Sequence, residues 1–378
     1  MLYVFLIASF VAVYARTSGF GFQSGDFDSF LNPWYWEIHD MSVHDALVTQ
    51  VGDYNILYQE LILIMTRIPV LYSLTKYKIL SCMFDFGLAI AGGMLIRTLG
   101  GGWTKALLGY IALLFMPTVV LNSSVWGQAD SMFTMFAVFS LCFLFRKQYR
   151  AAFILYGLSF ACKLQAIFLL PFFVYMCVKD ERSFLNFLWI PAAVYFVSLP
   201  ALLAGRNLLS PIMIYAAQTS EYPSISCRAL NLWMLFQNQE GFIDAYVPLH
   251  KYAVCLTFII LGVGYLMMLR RKTDTRSNLQ YAAWCAWTCF LFLPSMHDRY
   301  QYLCDILLVL IAVITADREY FAYAVICELI SLCIYGVDLF AVEITYNLYV
   351  ILSLINMIVF CRFTYYLFDG AIEKNPLA

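Results

Sequence analysis

Five short polar stretches interrupt an otherwise apolar chain, and their residue types can do chemistry. The first, SGDFDSFLNPWYWEIHD (24–40), sets Asp26 and Asp28 before Trp34, Tyr35 and Trp36. A carboxylate at a membrane boundary can act as a general base toward a hydroxyl. It can equally cap the helix that follows, with the aromatic residues forming an interfacial belt. The second, NSSVWGQADSMF (122–133), combines Asn122, Trp126, Gln128 and Asp130. Capping by Asp130 or Ser131 accounts for one carboxylate, and a belt accounts for one indole, but neither explains the two amides beside them. A hydroxyl-rich ligand does: amides and a carboxylate supply its hydrogen bonds, and an indole face covers the apolar side of a sugar ring.

The remaining three stretches bring cations. CKLQ (162–165) places Lys163 and Gln165 inside what is otherwise one apolar run, 151–178. A lysine at membrane depth is costly and marks a functional site, unless it snorkels to the interface. RALNLW (228–233) contributes Arg228, Asn231 and Trp233, and PSMHDRYQY (294–302) contributes His297, Asp298 and Arg299. An arginine fork suits phosphate; the alternative is an Asp298–Arg299 pair that only staples a loop. Convergence of Lys163, Arg228 and Arg299 would make a site for a phosphate or pyrophosphate at the depth of a lipid head group. Neither GxxxxGK[ST] nor GxGxxG occurs, so nucleotide handling has no support.

The elements that must hold these stretches are read from composition. Of 378 residues, 63% are hydrophobic and 12% charged, against about 25% charged in a soluble domain. Net charge is −1, which leaves no basic field for nucleic acid. Apolar runs of about 15–22 residues recur throughout and predict an all-α polytopic bundle. The 12 cysteines include no CxxC pair, and most sit in apolar runs as small hydrophobes. The opening MLYVFLIASFVAVYAR lacks a basic n-region and an A-x-A site, so a retained first helix is expected. Residues 1–378 read as a single integral membrane domain.

Lys and Arg set the threading. RTLGGGWTK, RKQYR, KDER, RRKTDTR and DRE mark cytoplasmic loops. Helices are expected near 1–15, 79–96, 106–121, 131–145, 151–162, 166–178, 184–204, 251–269, 279–294, 301–316, 320–337 and 344–366, giving about 12 crossings with both ends inside. YNILYQELILIMTRIP (54–69) carries Glu60, Arg67 and Pro69 and reads as a re-entrant or interfacial helix on the outer side. The competing reading is an ordinary span with Lys76 and Lys78 inside. Under the preferred threading all five polar stretches, with the loop 205–250, fall on the outer face.

The order SGDF, FL-x-PWY, NSSVWGQADS, K-x-Q, ALNLW and PSMHDRY resembles the GT-C membrane glycosyltransferases, and within them bacterial relatives of the family that adds the second mannose of GPI anchors. The likeness runs through residues 24–302. WGQ-x-D and MH-[DE]-RY carry it together, and Asp298 stands where Glu is usual. The resemblance implies a GT-C-like helical bundle of the outer or lumenal face, with juxtamembrane helices and a catalytic Asp in the loop after the first helix. Asp26 matches that position best, with Asp28 as the competitor. It also implies a polyprenyl-phosphate sugar donor, transfer with inversion of a hexose such as mannose, glucose or galactose, and a glycan or glycolipid acceptor. Arg299, Arg228, Lys163 and His297 then face the donor phosphate. Trp126, Gln128, Asp130, Gln165, Asn231, Trp233 and Asp298 face sugar or acceptor. No cofactor is required, because phosphate is already a fair leaving group; Asp26 and Asp130 are the carboxylates that can share a divalent metal. Membrane lipid is a partner, nucleic acid is not, and a bacterial plasma membrane is the expected location. The alternative from another class is a transporter or flippase of a polyprenyl-linked glycan.

Overall fold

The computed structural model describes residues 1–221, 224–237 and 249–368; part of the expected outer loop 205–250 therefore lies outside the described residues. In chain order the helices are α1 (Leu2–Thr17), α2 (Asn32–Asp40), α3 (Val43–Val48), α4 (Ile56–Thr66), α5 (Ser73–Thr98), α6 (Trp103–Phe115), α7 (Pro117–Val120), α8 (Asp130–Phe145) and α9 (Tyr149–Cys162). They continue as α10 (Leu170–Lys179), α11 (Trp189–Val197), α12 (Leu199–Leu203), α13 (Ser210–Glu221), α14 (Leu249–Leu269), α15 (Thr275–Phe292), α16 (Tyr302–Thr315), α17 (Arg318–Phe340) and α18 (Tyr346–Phe368). Two π-helical pieces, Phe27–Leu31 and Leu121–Trp126, lead out of the polar stretches. Two dipeptide strands, β1 (Ser226–Cys227) and β2 (Met296–His297), pair in parallel. The all-α expectation stands apart from that short ladder.

Four of these helices are long and apolar enough to cross a membrane: α5, α14, α17 and α18. A fifth arises if α6 and the segment 117–126, bent by 51° at the break before Pro117, count as one span. Apart from α15, which has 18 residues, the other expected spans are apolar helices of 10–17 residues, so helix length alone does not establish 12 crossings. Local chemistry explains the shortening. Residues 184–204, expected as one helix, divide into a 3-10 turn (Phe184–Leu188), α11 and α12. Pro200 sits in the first turn of α12, where its missing N–H costs nothing, and Ser198 Oγ donates back to the Val194 carbonyl at 2.8 Å. The run 151–178 breaks at Lys163, which is extended (φ −157°, ψ 141°).

The chain packs as two compact units, Met1–Ile167 with Phe184–Glu221, and Phe168–Ser183 with Tyr222–Ala378, where the sequence alone reads as one domain. In the first unit α5 packs against α6 and α8, and α9 against α8 and α11. Helices α2, α3 and α4 form a small layer over one end. α4 has 11 residues, about 16 Å of helix, well short of the roughly 30 Å hydrocarbon core. Its charged neighbours are satisfied there. Glu60 accepts from the Ala201 N–H at 3.3 Å, and Arg67 donates to the His39 and Met41 carbonyls at 3.2 and 2.7 Å.

In the second unit α15 packs against α14, α16 and α18. One core cluster joins Leu230 and Met234 to Ile330, Ile334 and Tyr349. Another joins Ile225 and Trp233 to Ala253. Burying these apolar faces holds the short loops that carry Arg228 and His297.

Candidate functional site

In the first unit the two polar stretches meet. Asp26 Oδ2 accepts the Trp126 indole N–H at 3.0 Å and the Gln128 side-chain amide at 2.6 Å. Asp26 does not cap the helix. Ser24 takes that part, its Oγ accepting the Phe27 N–H and donating to the Trp126 carbonyl, both at 3.2 Å. Trp126 is buried, with 3% of its surface exposed, which removes the belt reading for this indole. Asp28, two positions on, is exposed and takes a hydrogen bond from Gln23 instead. Phe30 and Trp36 are the exposed aromatics of this stretch.

The turn after Trp126 aims Gln128. Gly127 adopts φ +80°, and the N–H groups of Gly127 and Gln128 bond back to the Ser123 and Asn122 carbonyls at 3.1 and 2.9 Å, closing the π-helical end with a left-handed glycine. Gln128 Oε1 in turn accepts the Tyr54 hydroxyl at 3.3 Å. Tyr54 is fixed edge-on to Trp34, with ring centroids 5.8 Å apart. Gly52 makes that possible: its φ is +71°, and a Cβ there would lie 2.7 Å from the Trp34 ring. Gln59 braces the same loop from α4, donating to the Ala46 and Thr49 carbonyls at 2.6 and 2.7 Å.

Asp130 and Lys163 form a second, deeper pair at 2.5 Å, with side chains 1% and 5% exposed. Asn122 donates to the other Asp130 oxygen at 2.9 Å. Asp130 therefore does not cap α8; it neutralises a buried ammonium, and Lys163 does not snorkel. The Lys163 ammonium also lies 5.8 Å from the centre of the Tyr54 ring. Gln165 is buried nearby in sequence.

Beneath both pairs runs a buried network that composition did not signal. Asp85, inside α5, accepts from Arg16 Nε at 2.7 Å and from the hydroxyls of Ser123 and Ser131. Arg16 is 1% exposed. Lys78, two turns earlier on the same face of α5, donates to the carbonyls of Gly19, Phe20 and Phe22, and Lys76 donates to Tyr35 Oη and the Met65 and Ile68 carbonyls. These two lysines tie the loop after α1 and the α2–α4 layer to the start of α5. A buried charge needs such partners, so Lys76 and Lys78 act as staples rather than as an exposed basic marker.

The second unit gathers the remaining candidates. Arg228 pairs with Asp338 at 2.6 Å, and Arg299 Nη1 lies 3.6 Å from Asp298. Asp298 also accepts the Arg299 backbone N–H at 2.7 Å. Burial alone would raise the Asp298 carboxyl. Its hydrogen bond with Asp338 and the charges of Arg299, His297 and Arg228 hold it below the usual carboxylate range. Arg228 has φ +59° and bridges His297 as the β1–β2 ladder ends. The arginines are thus matched by carboxylates, and Asp338, at the end of α17, is the member missed from sequence.

Asn231 and Trp233 serve the loop itself. Asn231 Oδ1 accepts the Trp233 and Met234 N–H groups, capping a 3-10 turn, and its amide reaches the Phe290 carbonyl at 3.4 Å. The Trp233 indole donates to the Phe292 carbonyl at 2.8 Å. Among the described residues, no group of three or more His, Cys, Asp or Glu side chains gathers as a metal site. No protein-family model matches the chain, and no curated protein matches it either.

Proposed function

We propose that the protein is a GT-C-type membrane glycosyltransferase that moves a hexose from a polyprenyl-phosphate donor to a hydroxyl of a cell-surface or lipid-linked glycan. The observation that carries this reading is the pairing of Asp26 with Trp126 and Gln128. A general base needs a fixed direction at the atom it deprotonates, and two N–H donors on Oδ2 supply that direction.

In the reaction, the acceptor oxygen attacks the anomeric carbon on the face opposite the phosphate. The carbon–oxygen bond to phosphate breaks with its electron pair going to the phosphate oxygen, and the acceptor's proton passes to Asp26. The configuration inverts. The resemblance gives Arg299, Arg228 and His297 the part of stabilising a departing phosphate, where charge develops in the transition state. Their carboxylate neighbours Asp298 and Asp338 orient the guanidinium groups. Lys163 contributes through Asp130, which with Trp126 and Gln128 positions sugar or acceptor. The chemistry needs no metal, because phosphate already leaves readily.

The topology that belongs to this reading is multi-pass, with about 12 crossings and the Asp26 side facing outward from a bacterial plasma membrane. Purified protein given a radiolabelled polyprenyl-phosphate hexose and crude lipid-linked glycan should move the label into the glycan. Label that crosses a bilayer yet stays on the polyprenyl carrier would instead favour a transporter.

A further inference from the structure

The first unit contains a second feature that the transferase reading does not use. A cavity of about 720 Å³ opens between α1, α5, α6 and the end of α8. Clefts that hold small ligands are typically about 300–1,000 Å³. Its floor is made by small residues, Ala89, Gly93 and Ala106, where α5 and α6 approach closely. Its walls are apolar, and no carboxylate lines it. At one end stand Arg97, Arg146 and Trp103.

Those two arginines differ from the buried, ion-paired cations of this unit. Arg16 and Lys163 are matched to Asp85 and Asp130. Arg97 and Arg146 are exposed and have no carboxylate partner among the described residues. Both are nonetheless held in place. Arg97 Nη1 donates to the Gly101 carbonyl at 2.7 Å and its guanidinium stacks 4.5 Å from the Trp103 ring. Arg146 Nε donates to Thr98 Oγ1 at 3.0 Å. Each fork keeps further N–H groups for an anion. Lys78 and Arg97 are nineteen residues apart on α5, about 28 Å of helix, so this groove lies at the opposite end of α5 from the loop that carries Asp26.

We propose that this groove binds an anionic glycerophospholipid, with a tail along the apolar floor and the phosphate between Arg97 and Arg146. An apolar channel ending in two oriented, unneutralised guanidinium groups beside an interfacial tryptophan complements that molecule in both polarity and charge. Basic clefts between helices on the cytoplasmic side are the setting in which such head groups dock. The inference requires a membrane setting but not the transferase activity.

The test uses the full chain in nanodiscs of phosphatidylcholine doped with either dibromo-phosphatidylglycerol or dibromo-phosphatidylcholine. Bromine quenches nearby indoles, and the Trp103 share is obtained by difference from Trp103→Phe. Quenching of Trp103 should reach its midpoint at about 30-fold less brominated phosphatidylglycerol than brominated phosphatidylcholine, given two arginines near the surface. Arg97→Gln/Arg146→Gln should abolish that preference, while Arg97→Lys/Arg146→Lys, which keeps the charge and controls for folding, should retain most of it. Equal quenching by both lipids in the wild type, a preference that survives the glutamine pair, or one lost in the lysine pair would overturn the proposal.

Discussion

Gln128 donates its amide to Asp26 Oδ2 at 2.6 Å across 102 positions of chain. The contact joins the loop after α1 to the turn before α8, and it explains why an amide, an indole and a carboxylate recur in two stretches so far apart. Asp26 is held by named donors, whereas Asp28 faces outward.

Gln128→Ala removes one of those donors and leaves the backbone turn intact. Turnover should fall about 10- to 100-fold, the scale on which lost positioning acts, with little change in KM for the donor. Trp126→Phe keeps an aromatic ring but loses the indole N–H and part of a buried side chain's volume, so its turnover should fall as well. Steady-state kinetics on both variants separate the outcomes; a loss confined to KM would mean that Gln128 binds substrate rather than aiming Asp26.

The Lys163–Asp130 pair is nearly excluded from solvent. Removing one member strands the other, at a cost of about 3–5 kcal/mol. Lys163→Met and Asp130→Asn should each lower the unfolding midpoint strongly. The double variant should lose clearly less than the two losses added. Strict additivity in denaturant titrations of detergent-solubilised protein would contradict the pairing.

Sequence reading reached the parts of this site whose signal is local. Polar residues at the edge of apolar runs marked Asp26, Trp126, Gln128 and Asp130, and the break at Lys163 followed from a charge inside 151–178. What escaped was non-local. Asp85 and Asp338 are single carboxylates inside long apolar helices, and their partners lie dozens of positions away in sequence, where neither periodicity nor spacing points. Lys76 and Lys78 read as a loop marker because most of their acceptors are backbone carbonyls, which leave no trace in residue type. Ser131 reads as a capping hydroxyl, yet it and Ser123 are fully buried against the distant Asp85 carboxylate.

Glu60 gives the fold a pH dependence. Partial burial raises its carboxyl from 4.5 to about 7, opposed by the Ala201 N–H and the charge of Arg206. Between those values the folded chain binds the proton more tightly than the unfolded chain. Its stabilising contribution is therefore present below pH 4.5 and lost as pH rises through about 7. The melting temperature of the wild type should decline between about pH 5 and pH 8, and Glu60→Gln, which mimics the protonated form, should flatten that part of the profile. An unchanged slope in Glu60→Gln would show that another group sets it.

Orientation can be read from two exposed glycines with open space around them. Gly25 lies in the Asp26 loop, and Gly102 precedes α6 in the RTLGGGWTK loop. With the exposed Cys255, Cys333 and Cys361 replaced by serine, Gly25→Cys should react in intact cells with an impermeant thiol reagent. Gly102→Cys should react only after permeabilisation. The reverse pattern would invert the proposed sidedness, and labelling of both in intact cells would remove it.

The most direct measurement compares Asp26→Asn with Asp28→Asn in the polyprenyl-phosphate hexose transfer assay, with donor binding followed on a non-transferable analogue. Asparagine keeps the size and hydrogen bonding of Asp26 but cannot take the acceptor's proton. Transfer by Asp26→Asn should drop about 100-fold or more while the analogue still binds, and Asp28→Asn should stay near the wild type. Wild-type transfer by Asp26→Asn, or an inactive Asp28→Asn beside an active Asp26→Asn, would contradict the account.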